Sequence, residues 1–268
     1  MEIGFDRILW GLGLSLFAGL ATGIGSCLAF FSNRSDTRFL AVSLGFSGGV
    51  MIYISLTELL GQANHKLVEI YGKQTGSLYA IAAFFGGIGL AMLIDRLVPA
   101  DENPHEVRKV EEMTEPRHRH KLVRSGILFA LAIGIHNFPE GMATFSAALA
   151  EPVTGISIAI AVAIHNIPEG ITVSVPIYFA TGSRRKAFYW SMLSGLAEPV
   201  GAVIAWLVLM PFLTPSLLAL TFAAVAGIMV YISFDELLPL AEEYGRHHLV
   251  IYGLIAGMLV MALTLVFA

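Results

Sequence analysis

Eight apolar stretches, each long enough to cross a bilayer, leave few folds open to this chain. They run at about 8–31, 39–60, 77–98, 125–149, 153–180, 187–213, 217–238 and 249–267. The hydrocarbon core of a membrane is about 30 Å thick, and a helix rises 1.5 Å per residue, so roughly 20 apolar residues span it. Within lipid every backbone N–H and C=O needs a partner in the protein, which leaves helices or closed barrels, and stretches of this length specify helices. The expectation is an all-α membrane protein, one domain over 1–268, with eight transmembrane helices and a polar loop at 99–124. Only 13% of the residues are charged, against about a quarter in soluble domains. A net charge of −4 argues against nucleic acid as a partner. The single Cys27 rules out an internal disulfide, and in its apolar run it reads as a packing residue. Glu2 and Asp6 stand where a leader peptide would be basic, so the first stretch reads as a span.

Lys and Arg set the orientation. Thirteen of the 16 fall in or beside the connections between stretches 1–2, 3–4, 5–6 and 7–8, while Arg7, Lys66 and Lys73 lie on the other side. Basic residues stay in the cytoplasm. The 99–124 loop and Arg184-Arg185-Lys186 are therefore expected inside the cell (inner or plasma) membrane, with both termini extracytoplasmic. The sequon Asn33-Arg34-Ser35 then falls on the cytoplasmic side and is discounted.

Two internal repeats add symmetry. Gly49–Leu60 and Gly227–Leu238 share eight of twelve residues, on stretches 2 and 7. His136-Asn137-Phe138-Pro139-Glu140-Gly141 on stretch 4 is matched by His165-Asn166-Ile167-Pro168-Glu169-Gly170 on stretch 5. Both pairs join helices that run in opposite directions. They predict a 3+2+3 inverted repeat, an arrangement that places a transporter's site near the midplane.

Ionisable side chains deep in a bilayer cost about 2.5–3.5 kcal/mol each by insertion scales, and they face cavities or one another. Here the deep set is His136, Glu140, His165, Glu169 and Glu198. His and Glu four apart share a helix face, and imidazole with carboxylate suits zinc and other first-row metals. Each Asn, one step round the helix, offers an amide carbonyl. Each proline frees the carbonyl four residues back, at Ile135 or Ile164, and so favours a kinked, cavity-lining helix. Counted from the turn at Glu151, His136 and His165 both lie roughly 21–22 Å deep. Glu169 and Glu198 are level about the turn at Ser183-Arg184. Three carboxylates exceed the charge of one dication, so a two-metal site bridged by Glu140 and Glu169 is open. Glu58, Asp235 and Glu236 lie towards the membrane faces and read either as access and release stations or as interfacial carboxylates. The loop histidines His105, His118 and His120, and the pair His247-His248, read as solvated or interfacial.

The paired H-N-x-P-E-G blocks, with Ala197-Glu198-Pro199 on stretch 6 and a histidine-bearing loop between stretches 3 and 4, resemble the ZIP (Zrt-, Irt-like protein) metal transporters and their bacterial ZupT-like branch. The resemblance covers nearly the whole chain. It implies a transport site of His136, Glu140, His165, Glu169 and Met51. It also implies a neighbouring site of Asn137, Asn166 and Glu198 that shares Glu140 and Glu169.

The function expected is uptake of Zn²⁺ into the cytoplasm, with Fe²⁺, Mn²⁺, Co²⁺ or Cd²⁺ as further substrates. No resident cofactor and no enzymatic activity are expected. The partners are divalent metal ions and the lipid bilayer, with a homodimer left open. Two rivals use the same residues. An intramembrane metallohydrolase would activate water, but its H-E-x-x-H signature is absent. A proton-coupled carrier of an organic solute would need a further pocket, for which the sequence offers no candidate.

Overall fold

The computed structural model describes residues 4–29, 37–97, 134, 137–209, 212, 214–244 and 247–267, and within these every regular element is helical. The helices are α1 (Phe5–Ala29), α2 (Thr37–Ile54), α3 (Leu60–Tyr71), α4 (Lys73–Leu97), α5 (137–150), α6 (Pro152–Thr181), α7 (Arg184–Gly195), α8 (Ala197–Ile204), α9 (Pro215–Ile232), α10 (Leu238–Tyr244) and α11 (His247–Phe267). Among the described residues seven helical segments are long and apolar enough to cross a membrane; α5 is described only from residue 137.

The distribution of side chains reverses that of a soluble protein. Phe17, Leu78, Phe85, Leu93 and Leu259 face outward, whereas Ser15, Thr22, Ser26, Ser47, Thr144 and Ser191 are buried. An apolar exterior this continuous matches lipid rather than water. Cys27 is exposed on that exterior rather than packed inside, because α1 turns Thr22 and Ser26 to the interior instead.

Local chemistry explains where the helices stop. The second stretch loses its apolar character at Leu60, yet its helix runs on to Tyr71. Nothing there breaks a helix until Gly72, whose φ of 80° ends it, and Ala63 and Leu67 keep one face buried. Glu151 is extended and Pro152 opens α6; Gly182, at φ 67°, closes it. Ser183 caps α7 by accepting the Lys186 N–H, and Thr214 caps α9 by accepting that of Leu217, with Pro215 at the first helical position. The Tyr71 hydroxyl donates to Ser216 Oγ at 3.0 Å, which brings the turns at Gly72 and Thr214 to one end of the bundle.

The internal repeats recur as matching contacts. At Gly25 and Gly170, α1 and α6 approach so closely that an added Cβ would overlap the carbonyl oxygens of Ile167 and Thr22. Gly201 and Gly141 bring α8 and α5 together in the same way, against the carbonyls of Phe138 and Glu198. Asn166 Nδ2 donates to Ala18 O at 2.9 Å, and Asn137 Nδ2 to Ser194 O at 3.4 Å. The spacing is constant, from 18 to 194, 22 to 198 and 25 to 201. Likewise α2 packs on α11 and α4 on α9.

The Gly49 and Gly227 segments share one further feature. Each runs into a π turn, Ser55–Leu59 joining α2 to α3 and Ser233–Leu237 joining α9 to α10. The residues before them, Ile54 and Ile232, have the same backbone angles, φ −61° and ψ −38°. Ser55 Oγ donates to Met51 O at 2.6 Å, and Ser233 Oγ to Met229 O at 2.8 Å. A π turn inserts one residue into a helix and often marks a functional position. The serine hydroxyls supply hydrogen bonds of the kind that bend helices.

Candidate metal-ion site

Burial singles out one layer of the bundle. Among the described residues the buried ionisable side chains are Glu140, His165, Glu169 and Glu198, with Asn137 and Asn166 buried beside them. His136 lies outside the described residues.

Antiparallel packing of α5 and α6 across the Glu151 turn brings His165 Nε2 to 3.0 Å from Glu140 Oε1. The other ring nitrogen, Nδ1, lies 3.1 Å from Ala161 O. A carbonyl can only accept, so this contact orients the ring with its other nitrogen, Nε2, towards Glu140.

On the other side of α6, Asn166 Nδ2 donates to both Glu198 Oε1 and Ala18 O. The second carboxylate oxygen of Glu198 and the Asn166 carbonyl oxygen are buried with no hydrogen-bond partner among the described residues. Both are acceptors, the sort of atom a cation can satisfy. Depth counting from the turns put the blocks at one level, and these contacts join residues within about a turn of that count. Long side chains close the remainder.

Serines from three helices hold α6 in place. Ser47 on α2 donates to His165 O at 3.4 Å; Ser26 on α1 and Ser191 on α7 donate to Gly170 O at 3.4 and 3.2 Å. Despite Pro168, α6 is helical throughout Pro152–Thr181. Small residues that allow close backbone approach, together with hydroxyl bonds, are how helices associate in lipid.

The remaining sequence-derived candidates are spread out. Met51 is fully buried in the core cluster with Val162 and Phe222. Glu58 is half-buried in the first π turn and accepts from Gln62 Nε2 at 2.6 Å. Asp235 is half-buried in the π turn at Ser233–Leu237, and the Glu236 side chain falls outside the described set. His247 is exposed and pairs with Glu242 at 2.8 Å. His105, His118, His120 and the Asn33 sequon lie outside the described residues. Among the described residues no three His, Cys, Asp or Glu side chains close around one point as metal ligands; the side-chain contacts in the layer include His165–Glu140 and Asn166–Glu198.

A cavity of about 690 Å³ opens at the end of the bundle that carries the turns, lined by Gln62, His65, Glu151 and Thr154 with Phe222 also against it. Phe222 belongs to the same core cluster as Met51. Sequence reasoning passed over His65 and Glu151 because each sits at a polar helix end, with no apolar setting to make a charge conspicuous.

Comparison with known proteins bears on the same layer. A family model described as the ZIP zinc transporter matches residues 96–265, which include both H-N-x-P-E-G blocks and Glu198. The protein named zinc transporter ZupT in Akkermansia muciniphila is 60% identical over 99% of this chain and 100% of its own length. The ZupT protein of Nitratidesulfovibrio vulgaris is 60% identical, covering 97% of each chain, and that of Streptococcus mutans is 56% identical over 94% of this chain and 95% of its own. With a family model matched over more than half its length and relatives this similar from end to end, the chain belongs to the ZIP zinc transporter family.

Proposed function

We propose that this chain carries Zn²⁺ across the cell membrane into the cytoplasm, through a site formed by His136, Asn137, Glu140, His165, Asn166, Glu169 and Glu198, with Met51 beside it. One observation carries this reading: the buried ionisable side chains of the described bundle all lie in one layer, on α5, α6 and α8. Charge in lipid is too costly to be kept for packing alone. The relatives' shared name, zinc transporter, points to the ion. Membership of a transporter family also sets aside the metallohydrolase reading.

A dication arriving between His165 and Glu140 exchanges their hydrogen bond for bonds to the imidazole nitrogen and the carboxylate, both of which bind metal in their deprotonated forms. Glu198 turns its second oxygen to the ion while Asn166 holds the first. Nitrogen and oxygen donors without thiolates discriminate weakly, so Fe²⁺, Mn²⁺, Co²⁺ and Cd²⁺ are further substrates.

The bundle works as a 3+2+3 inverted repeat with both termini extracytoplasmic. The matched contacts of α1 with α6 and of α8 with α5 support the repeat, as do the paired π turns. Thirteen basic residues on one side support the orientation. Glu58, Asp235 and Glu236 serve the ion on its way in and out. The test is metal-dependent flux of radioactive zinc into proteoliposomes. Saturable zinc uptake is the expected result; uptake no faster than in protein-free vesicles would sink the proposal.

A further inference from the structure

We propose that Thr22, on α1, is an oxygen donor to the transported dication on the Asn137–Asn166–Glu198 side of the site, an inference that rests on the transport reading above. Three buried hydroxyls, those of Ser15, Thr22 and Thr144, have no partner among the described residues, and Thr22 is the one that abuts Gly195, three residues before Glu198. In these helices Ser55, Thr57, Thr181, Thr221, Ser233 and Thr264 all donate to the carbonyl four residues back. Thr22 does not. Its corresponding carbonyl, Ala18 O, accepts from Asn166 Nδ2 instead. The Thr22 side chain is fully buried, and among the described residues its hydroxyl has no partner. A buried hydroxyl left in this way is costly unless something else coordinates it.

Its surroundings are those of the site. A Cβ built on Gly195 would lie 2.7 Å from Thr22 Oγ1, so the hydroxyl abuts the α7 residue three before Glu198. Asn137 Nδ2 reaches the adjoining carbonyl of Ser194. The Thr22 carbonyl meets Gly170, next to Glu169. The spacing that relates 18 to 194 and 25 to 201 also relates Thr22 to Glu198. Where the second half of the bundle presents a carboxylate to Asn166, the first half presents a neutral hydroxyl on the Asn137 side. A hydroxyl adds a hard oxygen to the ligand set without adding charge. It favours ions that prefer oxygen, such as Mn²⁺, over softer ones such as Cd²⁺.

The experiment compares the purified full-length protein with Thr22→Val and Thr22→Ser, measuring Mn²⁺ and Cd²⁺ affinity by calorimetry and the thermal midpoint in metal-free buffer. Thr22→Val keeps the shape and removes the hydroxyl. Its Mn²⁺ affinity should fall about fivefold, Cd²⁺ affinity should fall less, and the metal-free midpoint should rise because a buried unpartnered group is gone. Thr22→Ser should restore wild-type affinity. Unchanged affinity in Thr22→Val overturns the proposal, as does a fall in midpoint and affinity together, which would mark a structural hydroxyl. Should Thr22→Val not fold, Thr22→Ala set against Thr22→Ser isolates the hydroxyl, and equal affinities overturn the proposal. A wild-type protein that binds neither ion overturns the proposal, whereas the transport reading itself fails only if zinc uptake into proteoliposomes is absent.

Discussion

Replacing Glu140 by glutamine separates two roles that its position allows. Glu140 is buried, and its Oε1 lies 3.0 Å from His165 Nε2. Glutamine has the same shape, and its amide can still bond an imidazole nitrogen. If Glu140 only positions His165, the change exchanges one hydrogen bond for another, a difference of about 0.5–1.5 kcal/mol, and zinc affinity stays within about tenfold. If the carboxylate faces the ion, the loss is larger. Two unit charges 4 Å apart interact by about 4 kcal/mol at an effective dielectric of 20, and a dication doubles that to about 8 kcal/mol. Desolvation opposes most of this. If only a third survives, affinity still falls more than about 70-fold. The assay is zinc titration of the purified protein, paired with flux in proteoliposomes and a thermal melt to show that the fold is intact. We expect Glu140→Gln to melt near wild type and to lose at least about 70-fold in affinity. Binding within tenfold of wild type would refute the argument that this carboxylate neutralises the cargo.

Three other perturbations test separate steps. Metal competes with protons for histidine ligands, and a free imidazole titrates at about 6.5, so equilibrium zinc affinity should weaken as pH falls from about 7 to about 5; an affinity flat over that range argues against histidine ligation. In Gly170→Ala the new Cβ overlaps Thr22 O, so the melt should drop by the equivalent of about 1–3 kcal/mol. Gly13→Ala, which meets nothing within 4 Å, should leave the melt unchanged, and equal effects in the two variants would discount the close α1–α6 contact. With Cys27 replaced, cysteines at the buried Ser55 and Ser233 should label reciprocally when metal or a state-trapping mutation shifts the protein, whereas labelling that rises or falls together points to a fixed path.

Much of the bundle is legible in the sequence because lipid is a demanding solvent. Long apolar runs read as spans, and a Glu within one is costly enough to be conspicuous, so Glu140, Glu169 and Glu198 stand out from the residues alone. The turns are legible for the same local reasons that operate in water, at Pro152, Gly182 and Pro215. The extension of the second span to Tyr71 was missed because apolar length marks where lipid ends, while a helix ends where something breaks it, here at Gly72. The pairing within the layer was beyond the sequence as well. Counting residues fixes depth to about a turn, but the azimuth of each side chain depends on how glycines seat one helix on another. That seating, at Gly141 and Gly170, brings Glu140 to His165 and leaves Asn166 to Glu198. Thr22 carries no signal at all, since one threonine in an apolar helix looks like any other.

The π turn at Ser55–Leu59 divides the labour of a single helix. One inserted residue turns everything beyond it by about 100°. The stripe of α2 that carries Met51 is therefore not continued in register by α3. In α3 the rotated face carries Gln62 and His65 to the cavity beneath the Glu151 turn. Without the insertion, one stripe of side chains would have to serve both places, and any change that suited one would propagate along the stripe to the other. The bulge decouples them. The part beyond the bulge can change without disturbing the packing of the part before it, and the matching π turn at Ser233–Leu237 gives α9 and α10 the same independence.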